Sequence, residues 1–225
     1  MVEVVLLDFY GTVVHEDDVV IAEITDEIRA ASTVDCTPQD IGTFWWREFS
    51  DACSGSRQMS FRTQREIELE SLLTTCRRFG ADCDASALSE RLYRHWQQPP
   101  IFEDAVSFLE LIDRPVIVLS NIDRRDIEQA IAFHGLSFDD VITSDDVCSY
   151  KPSPELFEAG LRHAGVGSPN ALHVGDSWSS DVVGAAALGI PVAWVNRAAK
   201  QAPLGASATY EVAELTRLAE IIGHS

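Results

Sequence analysis

The chain has 225 residues, with 17 basic and 36 acidic side chains that give a net charge of −19. Because 46% of the residues are hydrophobic and only 24% are charged, the chain can bury a sizeable core, which excludes wholesale disorder; its length suits one domain with a modest insertion. The negative charge repels nucleic-acid phosphates and anionic membrane surfaces, which excludes polyanion binding as the main activity.

Short apolar runs predict the strands of a parallel sheet. In chain order they are Val2–Leu7, Val116–Leu119, Val141–Thr143, Ala171–Val174 and Val192–Val195. The amphipathic stretches that accompany them predict helices at Glu103–Ile112, Arg125–His134, Pro154–Ala164, Asp181–Leu188 and Val212–Ile222. Alternating strands and helices indicate a Rossmann-like α/β core, a parallel sheet with helices on both faces. In such a core, sites form beyond the carboxyl ends of the strands.

One long segment breaks this alternation, because it contains no convincing strand. Its helical patterns are Val19–Ala31, Pro38–Ala52, Phe61–Phe79 and Ala85–Gln97. The sequence therefore predicts an α/β core made of residues 1–14 and 99–225, with an inserted all-helical cap of residues 15–98.

Targeting and anchoring signals are not evident. The sequence has no apolar run of about 18 residues, and Val2–Leu7 lacks the basic start and the cleavage site of a signal peptide. The five cysteines are odd in number and show no zinc-ligand spacing, which predicts reduced thiols in a cytoplasmic protein.

Two stretches at strand ends carry groups suited to chemistry. Asp8 leaves the first strand and enters a tight turn at Gly11 and Thr12, so it is a candidate nucleophile. Ser120 and Asn121 end the second strand, where a hydroxyl and an amide can donate hydrogen bonds to an anion. An Asp that caps a strand and a turn that satisfies its own backbone are the ordinary alternatives.

Two later stretches add a cation and two carboxylates. Lys151 precedes a Pro-Ser-Pro helix start, where it can neutralise a carboxylate and an incoming anion, although a surface lysine is the ordinary explanation. Asp176 and Asp181 flank a polar loop after a strand, and paired carboxylates of this kind suit Mg²⁺. A helix N-cap is the ordinary role for Asp181. His173, inside the preceding strand, is predicted to be a packed core histidine.

Taken in order, the four stretches D-x-x-G-T, Ser-Asn, K-P-x-P and G-D-S-x4-D resemble the signature loops of the haloacid-dehalogenase-like (HAD) hydrolase superfamily. The helical insertion is similar to that family's cap, which closes over the site. The resemblance implies catalytic roles for Asp8 (the nucleophile), Ser120, Lys151 and Asp181. It implies Mg²⁺ as cofactor, bound by Asp8, the main-chain carbonyl of Tyr10 and Asp176, with Asp181 orienting the metal site. The substrate would lie against Tyr10, Gly11, Thr12 and Asn121.

Position 10 departs from the pattern of the family's phosphatases, which place there a second Asp that protonates the leaving group. A phenol with a pKa of about 10 is a poor base at neutral pH. Tyr10 instead resembles the 2-haloacid dehalogenases of the superfamily, whose halide leaves without a proton, and Arg47 would then hold a substrate carboxylate. That branch, however, works without metal and lacks the acid at the position of Asp176.

The fourth loop favours the phosphatase, because converging carboxylates without a cation repel one another. We therefore expect a Mg²⁺-dependent hydrolase of a small phosphorylated metabolite that acts through an aspartyl-phosphate. The first alternative is a metal-independent 2-haloacid dehalogenase that acts through an aspartyl ester. A non-catalytic binding relative is the second alternative. The expected partner is a small anionic molecule, with no nucleic acid and no membrane, and the oligomeric state stays open.

Overall fold

A computed structural model describes residues 2–203 and 208–223. Its six described strands form one parallel sheet in the order β3-β2-β1-β4-β5-β6. The strands are β1 (Val4–Leu7), β2 (Val116–Ser120), β3 (Asp140–Thr143), β4 (Ala171–Gly175), β5 (Val192–Val195) and β6 (Tyr210–Val212). The chain order reverses at β1, which lies between β2 and β4.

The core packs against both faces of this sheet, because successive strand residues point to opposite sides. On β1, Val5 and Leu7 pack in one buried hydrophobic cluster, whereas Val4 and Leu6 pack in the other. The helices of the core are α5 (Glu103–Leu111), α6 (Arg124–His134), α7 (Ser144–Val147), α8 (Pro154–Ala164), α9 (Val183–Ala187) and α10 (Leu215–Gly223). This arrangement confirms the predicted Rossmann-like α/β fold.

Four α-helices lie between β1 and α5 in the described chain, and we call this helical segment the cap. They are α1 (Asp18–Ala31), α2 (Pro38–Gly55), α3 (Gln64–Arg78) and α4 (Ala85–Gln97), with a short 3-10 turn at Gln58–Ser60. Two of these helices begin with a capping box, which Thr37 and Asp40 form at α2 and Thr63 and Glu66 form at α3. The predicted boundaries of core and cap, residues 1–14, 15–98 and 99–225, stay predictions.

The structure corrects two predicted elements. Val212 belongs to β6, where it pairs with Val195, and the last helix begins three residues later at Leu215. A strand of three residues is too short for an alternating pattern to reveal. The helix predicted over Asp181–Leu188 is divided into a π-helical turn at Trp178–Val182 and helix α9. Within the described residues, the helices fall short of the length and apolarity that crossing a membrane requires.

Candidate active site

Three neighbouring strands bring polar side chains to one edge of the sheet. Asp8 follows β1, Ser120 ends β2, and Asp176 follows β4, so all three lie at carboxyl ends. A site cavity of about 190 Å³ opens there. It is lined by Asp8, Tyr10, Ser120, Asn121, Ile122, Lys151, Ser177, Ser180 and Asp181, and, from residues 16–96, by Glu16, Asp17, Trp46, Phe49, Gln64 and Trp96. Asp176 and Gly11 line an adjoining cavity, which shares Glu16 with the first.

Lys151 is the buried cation of this site. Its Nζ donates hydrogen bonds to Oδ1 of Asp8 at 2.6 Å, to Oδ1 of Asp181 at 2.7 Å and to the Leu119 carbonyl at 3.0 Å. Burial by itself lowers the pKa of this ammonium, but the carboxylates of Asp181 and Asp8 outweigh burial and raise it above its ordinary value. Lys151 therefore stays charged and links the candidate nucleophile to the fourth loop.

Asn121 and Thr12 position other site residues. The Asn121 side chain accepts a hydrogen bond from the Lys151 main-chain N–H at 2.7 Å and donates one to the Lys151 carbonyl at 3.2 Å. The buried Thr12 hydroxyl donates to Oδ2 of Asp8 at 2.9 Å. With Lys151 on one oxygen and Thr12 on the other, the Asp8 carboxylate is held in a fixed orientation. The predicted contacts of Asn121 and Thr12 with substrate stay predictions.

The carboxylates of Asp8, Asp176 and Asp181 converge, with one oxygen of each lying within 4.8 Å of the others. Two glycines make room for them. A Cβ on Gly11, whose φ is +84°, would lie 2.5 Å from Oδ1 of Asp176. A Cβ on Gly175 would lie 2.3 Å from Cγ of Asp181. Both glycines are therefore required by close approach of a carboxylate.

Nearby groups stabilise the negative charge of Asp181 much more than that of Asp176. Burial opposes the ionised form of Asp181, but the Lys151 ammonium and the His173 ring hold the pKa of this carboxyl well below its ordinary value. For Asp176, burial and the neighbouring carboxylates of Asp8 and Asp181 raise the pKa to about 7. The ammonium groups of Lys200 and Lys151 oppose this rise in pKa without reversing it, and in the described chain Asp176 forms no salt bridge, so the site still favours an added cation.

This donor set fits Mg²⁺, which binds carboxylate oxygens and keeps several waters. Asp8 and Asp176 place their carboxylate oxygens close enough to hold one ion, and the metal roles of these two residues and of the Tyr10 carbonyl stay predictions. Three carboxylates against one ammonium leave a net charge of −2 when all four groups are ionised. A divalent cation would neutralise that charge.

His173 is a packed core histidine, as predicted, but it also contacts the candidate site, which was not predicted. Its Nε2 lies 2.9 Å from Oδ1 of Asp181, and the Ser177 N–H donates to Oδ2 of the same carboxylate at 3.0 Å. His173 and Gly175 lie two residues apart in β4 and point to the same face, beside Asp181. This two-residue spacing in the sequence could have indicated that His173 lies beside the fourth loop. Asp181 itself lies inside the π-helical turn, where Ser177 provides the side-chain cap.

Tyr10 faces the cap. Its hydroxyl donates a hydrogen bond to the main-chain carbonyl of Trp96 in α4. Burial raises the pKa of the phenol well above its ordinary value, and the carboxylates of Asp126 and Glu16 raise it further. Tyr10 therefore cannot serve as a general base at neutral pH, as its residue type predicted.

Arg47 does not reach the site. Its side chain is 61% exposed, it pairs with Glu48, and its guanidinium lies 4.9 Å from the ring centre of Phe44. It lines a different cavity, together with Phe79. The neighbouring Trp46 lines the site instead, because successive helix residues point about 100° apart. The predicted role of Arg47 in holding a substrate carboxylate is therefore not supported by its position.

Known proteins are similar to this chain in sequence. A family model described as haloacid dehalogenase-like hydrolase matches residues 2–189. The chain belongs to this family. Haloacetate dehalogenase H-2 of Moraxella sp. (strain B) is 27% identical to the hydrolase over 206 residues, 87% of this chain and 86% of that protein. Phosphoserine phosphatase of Thermus thermophilus is 30% identical over 143 residues, 60% of this chain and 57% of that protein.

Solved structures share the fold. The L-2-haloacid dehalogenase of Xanthobacter autotrophicus, with chloropropionic acid covalently bound, superposes with a TM-score of 0.79 at 20% identity and 99% coverage of both chains. The HAD-hydrolase YfnB of Bacillus subtilis, bound to magnesium, gives 0.75 at 18% identity and 98% coverage of both. These identities show the fold alone. Among the relatives compared by sequence, the dehalogenase covers more of the hydrolase than the phosphatase does, which favours the dehalogenase alternative.

Proposed function

We propose that the hydrolase cleaves a small phosphomonoester through a covalent aspartyl-phosphate on Asp8. The observation that carries this proposal is the cluster of three carboxylates around one lysine. Asp176 differs from the other two, because Lys151 forms salt bridges with Asp8 and Asp181 only, and the charge of Lys200 does not reverse the rise in the pKa of Asp176. A carboxylate in such a place is costly unless a metal ion binds there.

The roles of the residues follow from their contacts. Asp8, oriented by Thr12 and Lys151, attacks phosphorus. The Ser120 hydroxyl, which lines the site cavity, is placed to bind a phosphoryl oxygen. The three N–H groups of Lys151 are already engaged, so Lys151 acts through its positive charge, which reduces the repulsion between Asp8 and the phosphoryl group. Asp181 holds the Lys151 ammonium in place. Bound by Asp8 and Asp176, Mg²⁺ would offset the negative charge of the phosphoryl group.

The leaving group receives no proton from Tyr10. Its hydroxyl is engaged by the Trp96 carbonyl, and its pKa is raised. The departing oxygen must therefore take its proton from water or from the substrate itself. We expect rates to rise steeply with the acidity of the leaving alcohol, because no enzyme acid compensates for a basic one.

A second candidate is 2-haloacid dehalogenation, favoured by Tyr10 and by the dehalogenase relatives that cover most of the chain. Asp8 would then attack carbon, halide would leave without a proton, and water would open the ester. Two features speak against it. Asp176 has no role in a metal-free reaction. Among its described residues, the site cavity itself is lined by Glu16 and Asp17 and by no arginine, and Arg57 lines only an adjoining cavity.

A parallel screen distinguishes these activities. Phosphomonoesters and 2-haloacids are assayed for phosphate and halide release with Mg²⁺ and with EDTA. We expect phosphate release that requires Mg²⁺ and is lost in the Asp8→Asn variant. Halide release that persists in EDTA supports the second candidate, and equal background rates in wild type and variant support a non-catalytic binding protein.

We further propose a small anionic molecule as the partner and the cytoplasm as the location. The five cysteines are free thiols, which agrees with a reducing compartment.

A further inference from the structure

A second cavity, which we call the cap chamber, lies beside the site cavity. Its volume is about 140 Å³. The two cavities share the lining residues Glu16, Asp17, Trp46, Phe49, Gln64 and Trp96. The cap chamber is therefore placed to receive the part of a substrate that extends from the reacting centre towards the cap.

The cap chamber is acidic. Glu16, Asp17 and Glu68 line it, and among its described lining residues no lysine or arginine is present. A carboxylate or a second phosphate on the substrate would face three acids and no cation there. The chamber therefore disfavours the acidic tails that many small metabolites carry.

Glu68 is the residue that points to a ligand. The residue is 95% buried, and its Oε1 has no hydrogen-bond partner, while the carboxyl group as a whole interacts with the Trp45 side chain. Asp17, by contrast, accepts a hydrogen bond from Trp96 Nε1 at 2.8 Å. A buried carboxyl oxygen without a donor is unfavourable, so a ligand that donates a hydrogen bond at this place removes a penalty. Burial and the Asp17 carboxylate raise the pKa of Glu68 well above its ordinary value, and a bound cation would restore its charge.

Aromatic rings complete the chamber. Trp45 and Trp96 are almost fully buried, whereas Trp46 is 67% exposed and stacks on Phe49 with ring centres 6.0 Å apart. Aromatic faces attract cations as well as apolar groups. An apolar ligand would suit the rings but would leave Oε1 of Glu68 unpaired. An ammonium group suits both, since it carries charge and three hydrogen-bond donors.

We propose that the cap chamber binds a small primary ammonium group, so that the substrate is a phosphomonoester of a short amino alcohol. The phosphate end of this proposal rests on the proposed function, and the ammonium end does not. In the reaction, a bond forms between Asp8 and phosphorus while the ester P–O bond breaks. The departing amino alcohol takes a proton from water, and a second water hydrolyses the aspartyl-phosphate.

Binding of ethanolamine, which contains no phosphate, tests the ammonium site directly. Calorimetric titration compares ethanolamine with ethylene glycol, which has the same number of heavy atoms but no charge. We expect ethanolamine to bind at least tenfold more tightly than ethylene glycol. Equal affinities of the two compounds would overturn the proposal.

Variants test whether ethanolamine binds in the cap chamber. Glu68→Gln should weaken ethanolamine binding about tenfold, because a hydrogen bond to a charged group contributes on the order of 1.5–3 kcal/mol. Glu70→Gln, on the same helix but 65% exposed and paired with Arg62, is the matched control and should have no effect. If Glu68→Gln does not fold, the exposed Trp46→Ala variant replaces it and should also weaken binding. Unchanged affinity in the folded variant would overturn the proposal.

Kinetics separate this inference from the proposed function. Phosphate release with Mg²⁺ is compared for phosphoethanolamine and for 2-hydroxyethyl phosphate, and we expect kcat/KM to be at least tenfold higher for the amino ester. Ethanolamine binding without phosphate release from any ester supports the ammonium site and contradicts the proposed function. Phosphate release without preference for the amino ester, and without ethanolamine binding, contradicts the ammonium site and leaves the proposed function standing.

Discussion

The Tyr10 hydroxyl donates a hydrogen bond to the Trp96 carbonyl, which joins the first loop of the core to the cap helix α4. The side chain that stands where a general acid is expected is therefore a structural link between core and cap. Two substitutions distinguish the structural role of Tyr10 from a role in proton transfer. Tyr10→Phe removes the hydroxyl, and Tyr10→Asp introduces a carboxyl group at the position of the absent acid.

We expect Tyr10→Phe to change turnover of phosphomonoesters less than threefold, because the hydroxyl takes no part in proton transfer. Tyr10→Asp should raise kcat for esters with basic leaving groups by about 10²-fold, the lower end of what general acid catalysis contributes. Initial rates over a series of leaving alcohols measure both effects. A large loss in Tyr10→Phe would show that the phenol acts in chemistry.

Lys151 is expected to be required for stability as well as for activity. Lys151→Ala leaves Asp8 and Asp181 buried without their common cation, and breaking a buried ion pair in this way costs about 3–5 kcal/mol. Urea unfolding measures this loss. Arg162→Ala, which breaks an exposed i,i+4 pair with Glu158, is the control and should cost less than about 0.5 kcal/mol. Equal effects would contradict the central role of Lys151.

Asp176 makes the stability of the metal-free protein depend on pH. Its pKa is about 7 in the folded chain against an ordinary value of 3.8, so between these values the folded protein holds a proton that the unfolded chain has released. The free energy of unfolding therefore falls as the pH rises through this window, by an amount on the order of 4 kcal/mol. Asp176→Asn removes this contribution.

Thermal unfolding in EDTA measures the effect. The Tm of Asp176→Asn should exceed that of the wild type increasingly from about pH 4 to pH 7, and the difference should close below about pH 4. Added Mg²⁺ should stabilise the wild type at neutral pH and leave the variant unchanged. A difference in Tm that does not depend on pH would contradict the proposed repulsion at Asp176.

Gly11 is expected to be essential because of the carboxylate beside it. Gly11→Ala places a Cβ 2.5 Å from Oδ1 of Asp176, so this side chain must move. Gly135→Ala is a matched control, because Gly135 also has a positive φ of 65° but nothing lies within 4 Å of the added Cβ. Both variants should lose about 1 kcal/mol of stability, whereas Gly11→Ala alone should lose Mg²⁺-dependent activity. Loss of activity in both would point to backbone strain as the cause.

The sequence predicted much of the site, because the carboxyl ends of parallel strands meet at one edge of a sheet. Asp8, Ser120 and Asp176 follow from that rule. Lys151 and Asp181 required the ordered set of loops, since neither is informative alone. His173 is buried in the core as predicted, but its contact with Asp181 was not predicted, although the two-residue spacing from Gly175 places His173 on the face that Asp181 covers.

The cap was harder to predict. A helical pattern predicts that α2 forms, but it does not predict which side of the helix faces the site. As a result Arg47 was placed at the site, where Trp46 in fact lies. Acids distant in the sequence, such as Asp17 and Glu68, meet only through the packing of helices, and no local pattern indicates such a meeting.

The covalent intermediate on Asp8 tests the central claim most directly. The protein is quenched with acid during turnover, either of a phosphomonoester with Mg²⁺ or of 2-chloropropionate. The mass of the peptide that contains Asp8 is then measured by mass spectrometry. The account predicts a phosphoryl adduct on Asp8 that requires Mg²⁺ and is absent from Asp8→Asn. A carboxyalkyl ester on Asp8 that forms in EDTA, with no phosphoryl adduct from any ester, would contradict it.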